Sequence, residues 1–243
     1  MNITWFDTTD STNRLCGELP LDQTEEWTVV AARSQTAGRG QQGNHWASEP
    51  GLNLTFSLLL KPTFLLPARQ FGLTQAVALG VADYARQRVE GVSLKWPNDV
   101  MVGDRKLSGI LIESRLCGGR FAAAVCGIGL NLNQTHFGPE AGRPTSLVLL
   151  TGRHYDPEAE LELLLTALQR RYETLRQGRT AELEADYLGL LYRRNVAARY
   201  RYHDRELTAT ATGTDDEGHL LLATAEGVQL RCAMKEVEFL FDD

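Results

Sequence analysis

Between positions 52 and 60 every second residue is large and apolar (Leu52, Leu54, Phe56, Leu58, Leu60), and Pro62 ends the run. That period belongs to an extended chain, whose successive side chains point to opposite faces. A helix would scatter the same residues around its surface. The segment therefore reads as a half-buried strand with one apolar face. Residues 69–90 show the other period, with Ala76, Val77, Val81, Tyr84 and Ala85 at helical spacing. A longer helix follows Pro157, carries Leu161, Leu164, Leu165, Leu168, Tyr172 and Leu175 on one face, and stops at Gly178. The chain is mixed α and β.

Further strands are expected over 27–32, 92–96, 107–114 and 121–132, with Gly103-Asp104 marking a hairpin. Asp10-Ser11-Thr12-Asn13 offers capping side chains, so a helix should begin there, and a short one should run over 181–191. After Asn195 the texture changes to short strand-like runs around the turn Asp215-Asp216-Glu217-Gly218. The expected division is 1–194 and a small all-β unit over 195–243, with no internal repeat and no low-complexity linker.

A chain of 243 residues, 43% hydrophobic, can bury a core without staples, which excludes disorder, collagen and coiled coil. The net charge of −6 argues against a general nucleic-acid binder, which needs a basic face. The first ten residues carry Asp7 and Asp10 and lack a signal peptide's basic start and apolar centre. Apolar runs such as Leu58-Leu59-Leu60 are far too short to span a bilayer. Cys16, Cys117, Cys126 and Cys232 form no CxxC pair and meet no His cluster, so neither zinc nor a disulfide framework is indicated. A cytoplasmic protein without membrane contact is expected.

Four segments carry candidate chemistry. Gly38-Arg39-Gly40-Gln41-Gln42-Gly43 has the spacing of a dinucleotide fingerprint, but it leads into Asn44-His45-Trp46 and Pro50-Gly51 rather than a helix. Its glycines admit a ligand close to the backbone, and Arg39 offers a permanently charged fork for phosphate or carboxylate; a plain surface loop is the alternative. Lys95-Trp96-Pro97-Asn98-Asp99 gathers a cation, an aromatic, an amide and a carboxylate at a strand end, which suits a ligand site or an ordinary polar turn. In Lys106-Leu107-Ser108-Gly109-Ile110-Leu111-Ile112-Glu113 a lysine precedes a strand and a glycine removes a side chain where something must pass close, and the strand Gly127-Ile128-Gly129-Leu130-Asn131-Leu132-Asn133 has two glycines and presents Asn131.

In this order, and preceded by Asp10-Ser11-Thr12-Asn13, these segments resemble the biotin–protein ligases over essentially the whole chain. The resemblance implies an α+β fold, a mixed sheet with helices like that of class II aminoacyl-tRNA synthetases, followed by a small Src-homology-3-like barrel. It implies activation of biotin with ATP and Mg2+ to biotinyl-5′-adenylate and transfer to a lysine of a biotin carboxyl carrier protein. Ser11, Thr12, Asn13, Gln35, Gly38, Arg39, Gly40, Gln41, Lys106 and Gly109 are then the biotin side of the site. Arg39, Trp46, Lys95, Asn98, Asp99, Lys106 and Asn131 are the nucleotide side, with Trp46 stacking on adenine and Asn131 hydrogen-bonding to it. Arg39 and Lys106 are the catalytic cations, and Asp99 faces Mg2+ or a nearby cation.

The set begins at Asp10, which leaves no room for the DNA-binding helix-turn-helix of some members, so no DNA contact is expected; a homodimer stays open. Many members carry further arginines where this chain has Gln41 and Asn44, and some place an arginine over the adenine where it reads Phe239-Leu240-Phe241. A nucleotide role for the tail is therefore not expected. Ala233-Met234-Lys235 looks like the acceptor sequence of a carrier, but reads as part of a strand-rich tail without a turn signal. The competing readings are a lipoate–protein ligase of the same fold and a non-catalytic biotin sensor.

Overall fold

The computed structural model describes residues 1–241 and, at Gln42 and Glu140, the backbone alone. The chain opens with β1 (Asn2–Thr9), α1 (Thr12–Glu18) and β2 (Thr28–Gln35), then β3 (Leu54–Leu60) and α2 (Phe71–Arg86). Four strands follow: β4 (Val92–Lys95), β5 (Asp99–Val102), β6 (Arg105–Cys117) and β7 (Arg120–Leu130). Helices α3 (Leu147–Thr151), α4 (Pro157–Arg176) and α5 (Thr180–Leu190) precede β8 (Ala197–Tyr202), β9 (Arg205–Thr214), β10 (Leu220–Thr224), β11 (Gln229–Cys232) and β12 (Val237–Phe239).

Among the described residues the first sheet has the order β1-β2-β3-β7-β6-β5-β4, with β1 and β2 parallel and the other pairs antiparallel. The edge strand β1 was not read from the sequence, because its mixed Asn2-Ile3-Thr4-Trp5 pattern and mostly exposed side chains carry little apolar signal. The hairpin at Gly103-Asp104 joins β5 to β6, with Val102 opposite Arg105 and Gly103 at φ 56°.

The alternating strand departs from expectation in two respects. It starts at Leu54, not Leu52, and is buried on both faces. Leu54, Phe56, Leu58 and Leu60 join the main core, which α2 and α4 complete. Leu59 instead packs with Cys16, Val30, Ala123 and Val125 beneath α1. Burial lifts the Cys16 thiol to about 12, so it packs as a small apolar group.

Helix α4 is set by local rules. The Asp156 carboxylate accepts from the Glu158 N–H at 3.1 Å, Pro157 fills the first turn, and Gly178 turns the chain away at φ 72°. Its six expected apolar residues are all buried. No helix of the described residues is long and apolar enough to cross a membrane.

The second sheet has the order β11-β10-β9-β8-β12 and does not close, where the resemblance implied a barrel: among the described residues its end strands β11 and β12 do not pair. Its β9–β10 turn reaches the end of β4, where the Trp96 indole N–H donates to the Gly218 carbonyl at 2.8 Å, and the turn before α2, where Arg69 meets Asp216 at 2.5 Å. Tyr200, Ala211, Leu220, Leu222 and Phe239 belong to the same continuous core as the helices.

Helices α2 and α4 touch at Gly80, where an added Cβ would lie 2.9 Å from the Leu168 Cα. Gly80→Ala should therefore cost ~1–3 kcal/mol by overpacking, although alanine is ~1 kcal/mol the better helix former in isolation. Urea unfolding checks the sign; a stabilised variant would mean the helices separate freely.

Candidate functional site

The site lies on the sheet face turned away from α2 and α4. Across β3, β7, β6 and β5 one row reads Thr55, Gly129, Gly109, Asp99, and the next reads Ser57, Gly127, Leu111. The glycines leave bare backbone on which other elements lie. A Cβ on Gly127 would sit 2.0 Å from the Asn13 Oδ1, and one on Gly129 would sit 2.2 Å from the Trp46 Cε2. One on Gly109 would meet the Trp46 ring at 3.0 Å and the Lys106 Cε at 3.1 Å.

At one end, the β1–α1 junction and the end of β2 bring Ser11, Thr12, Asn13 and Gln35 together, at the carboxyl ends of the two parallel strands. Ser11 holds the N-cap position but makes no side-chain cap bond. The Thr12 N–H donates instead to Gln35 Oε1 at 2.7 Å, across 23 residues. Asp10 accepts from the Ser11 N–H at 2.6 Å, and the Arg14 guanidinium holds its carboxyl down at about 2.

Below them Asn13 donates through Nδ2 to Glu113 at 2.8 Å, while Ser57 Oγ lies 2.6 Å from Asn13 Oδ1 and 2.8 Å from Thr12 Oγ1. An amide oxygen can only accept, so the Ser57 proton goes to Asn13 and the Thr12 hydroxyl donates to Ser57. The lone pairs of Thr12 Oγ1 stay available to a donor in the cavity.

At the other end Asp99 is clasped by two ammonium groups, Lys106 at 2.6 Å and Lys95 at 3.3 Å, one on each carboxylate oxygen. The Trp96–Pro97 peptide is cis, and Asn98 donates to the Ile110 carbonyl at 2.5 Å. The 38–46 loop folds as a small hairpin, with Trp46 N–H to Gly38 O at 3.0 Å, Gly40 N–H to Asn44 O at 2.7 Å and a bridge between Arg39 and His45. Its Trp46 indole is laid over Gly129 with a buried N–H that has no partner among the described residues. Arg39 is a fork on Glu113, at 2.9 and 3.3 Å. Glu113 thus joins the loop to the Asn13 amide.

Ser11, Thr12, Asn13, Gln35, Arg39 and Trp46 line a cavity of about 740 Å3 together with Gly40, Gln41, Lys95, Asn98, Asp99, Lys106 and Gly109, while Ser57 and Glu113 stand behind the lining and hold Asn13 and Arg39. Gly38 and Asn131 are not on its lining. Gly38 closes the loop hairpin, and the Asn131 amide donates to the Thr145 carbonyl at 2.9 Å. Thr55 and Ser57 were missed because strict alternation suggested solvent for that face, and Glu113, inside the third candidate segment, was given no role because a lone carboxylate in a strand carries no spacing signal. The opposite wall comes from the tail, which was not expected to contribute: Arg201, His203, Asp204, Met234, Lys235, Phe239 and Phe241 all face the cavity. Lys235 lies in a turn between β11 and β12, not in a strand. Among the described residues no group of three or more His, Cys, Asp or Glu side chains could hold a metal ion.

Residues 5–131 match the model of the Biotin/lipoate A/B protein ligase family. The chain is 34% identical over 235 residues to the biotin–[acetyl-CoA-carboxylase] ligase of Paracoccus denitrificans, covering 91% of this chain and 94% of that one. It is 30% identical over 234 residues to the bifunctional ligase/repressor of Bacillus subtilis, covering 94% of this chain and 71% of that one. A solved biotin protein ligase from Aquifex aeolicus in complex with biotin and ATP superimposes with a TM-score of 0.83 at 26% identity over 99% of each chain. The chain belongs to the biotin/lipoate A/B protein ligase family, and within it to the biotin protein ligases.

Because the Trp46 indole rests on bare backbone, Gly129→Ala should unseat it and release the loop. Tryptic cleavage after Arg39 should then accelerate, by about tenfold for each ~1.4 kcal/mol of closure lost. Unchanged cleavage would show that the loop is held elsewhere.

Proposed function

We propose that the cavity binds biotin and ATP side by side, joins them as biotinyl-5′-adenylate, and passes the biotinyl group to a lysine of a biotin carboxyl carrier protein. The observation that carries this is the pairing, in one cavity, of an oriented hydroxyl–amide cluster with a Lys95–Asp99–Lys106 cation cluster across a glycine floor. The first suits a ureido ring, whose N–H groups need acceptors such as Thr12 Oγ1. A lipoyl dithiolane has no N–H to offer that oxygen, so the ureido ring is the better match. The second suits phosphate. The named complex of the Aquifex aeolicus relative with biotin and ATP supports the same pair of ligands.

In this reading the biotin carboxylate attacks the α-phosphorus of ATP and pyrophosphate leaves. Lys106 steadies charge as it grows on the phosphoryl oxygens. Arg39 exchanges Glu113 for the carboxylate or phosphate, and Trp46 stacks on adenine. Residues 1–194 hold both substrates and 195–243 supply the facing wall. Asp99 does not fit as a ready Mg2+ ligand, since both its oxygens face lysines, and no group of three or more His, Cys, Asp or Glu among the described residues could hold the ion. The phosphates of ATP are the ligands left for one.

Pyrophosphate release that depends on biotin, and not on lipoate, tests the proposal; release with lipoate alone, or with neither, would overturn it. Lys106→Ala should lower kcat by ~10²–10³ with a much smaller effect on biotin binding, as expected for a contact made where charge develops. A change below threefold in pyrophosphate release would remove Lys106 from the chemistry.

Gln41 lines the cavity at the start of a short 3-10 turn, Gln41–Gly43. A charged contact to phosphate is worth ~1.5–3 kcal/mol against ~1 for a neutral amide. Gln41→Arg should therefore slow adenylate release by about tenfold, which dissociation rates measured at matched salt will check.

A further inference from the structure

We propose that Lys235 is an acceptor of the biotinyl group made in its own cavity, so that the enzyme acylates itself at this one position when no carrier is present. The inference rests on the adenylation reading. Residues 233–236 form a tight turn on the cavity wall: the Glu236 N–H donates to the Ala233 carbonyl at 3.1 Å, and the Glu236 carboxylate accepts from the Ala233 N–H at 2.8 Å. The neighbouring β8–β9 turn braces it, the His203 N–H donating to the Glu236 carbonyl at 3.1 Å. Lys235 sits in this turn at φ 83°, a backbone conformation that favours glycine and costs other residues ~1–2 kcal/mol. The fold holds a lysine there regardless, facing the cavity where the acyl adenylate would form.

The lysine inventory sharpens the point. Of 25 Lys and Arg residues only four are lysines: Lys61, Lys95, Lys106 and Lys235. Lys61 donates to the Leu21 carbonyl at 2.8 Å and lies off the cavity. Lys95 and Lys106 are both bound to Asp99. Lys235 makes no ion pair among the described residues, and the arginines that dominate the surface are not acyl acceptors.

The step balances without a further reactant. The unprotonated Nζ of Lys235 attacks the acyl carbon of biotinyl-5′-adenylate, the C–N bond forms, the bond from that carbon to the phosphate oxygen breaks, AMP leaves with the electron pair, and the amine proton passes to solvent. An amine tethered in the same cavity acts at an effective concentration of about a millimolar or more, against micromolar protein in free solution. Lys235 should therefore be labelled on the order of 10²–10³ times faster than Lys61 or the N-terminal amine.

The test incubates the whole protein with biotin and ATP but no carrier, and maps the adduct by peptide mass spectrometry alongside pyrophosphate release. The expected result is biotin minus one water on Lys235, formed at a rate that does not change when the protein is diluted tenfold. Lys235→Gly, which relieves the left-handed backbone and so should fold at least as well, must abolish the adduct. Pyrophosphate release without label on Lys235, or label spread evenly over Lys61, the N-terminus and Lys235, would overturn the proposal; the first outcome would leave Lys235 a phosphate-side cation and the second would mean that escaped adenylate reacts at random. If no pyrophosphate is released, the adenylation reading itself has failed. Synthetic biotinyl-5′-adenylate then decides the matter, selective acylation of Lys235 supporting the proposal and its absence overturning it.

Discussion

Bare backbone at Gly109, Gly127 and Gly129 is the constraint on which the site depends. A sheet normally keeps neighbouring elements a side chain away, and here α1 and the 38–46 loop come down onto the strands themselves. Asn13 reaches Ser57 and Glu113 only because nothing projects from Gly127, and Trp46 lies flat only because nothing projects from Gly129. The opposite face of the same strands carries Phe56, Ile110, Cys126 and Ile128 into the helical core. Period two thus builds an apolar face and a cavity face from one set of strands.

The polar groups on that floor are connected rather than scattered. Glu113 accepts from both Asn13 and Arg39, so the group that orients the pocket amide is also the resting partner of the loop arginine. An anion that draws Arg39 away leaves Glu113 with Asn13 alone, which couples the two ends of the cavity through one carboxylate. Asp99 plays the corresponding part at the other end, keeping Lys95 and Lys106 close without a ligand to hold them. Clustered like charges would otherwise repel in a partly buried setting.

The second sheet is more than an appendage. Trp96, whose indole is buried, spends its N–H on the Gly218 carbonyl, and Arg69 pairs with Asp216, so the β9–β10 turn is tied to the strand end that bears Lys95 and Asp99. The cavity then has a wall that includes Arg201, His203, Asp204, residues 234–239 and Phe241, far in sequence from the four segments that carry the candidate chemistry.

The sequence by itself determined the elements and most of the chemistry. Alternation marked β3, helical spacing and a proline marked α4, and ordered short motifs named the residues of α1, the loop, Lys95 to Asp99 and Lys106. These features are local, because caps, periods and turn residues act over a few positions. Only the tertiary structure decided that β3 is buried on both faces, that Gln35 rather than Ser11 satisfies the first N–H of α1, and that Asn131 faces Thr145 instead of the cavity. It alone also decided that Lys235, which no turn signal marks in a strand-rich tail, sits in a turn on the cavity wall. Each of these depends on which distant segment supplies a partner or a covering layer, and that is set by the packing of whole sheets and helices, which no local window of residues contains.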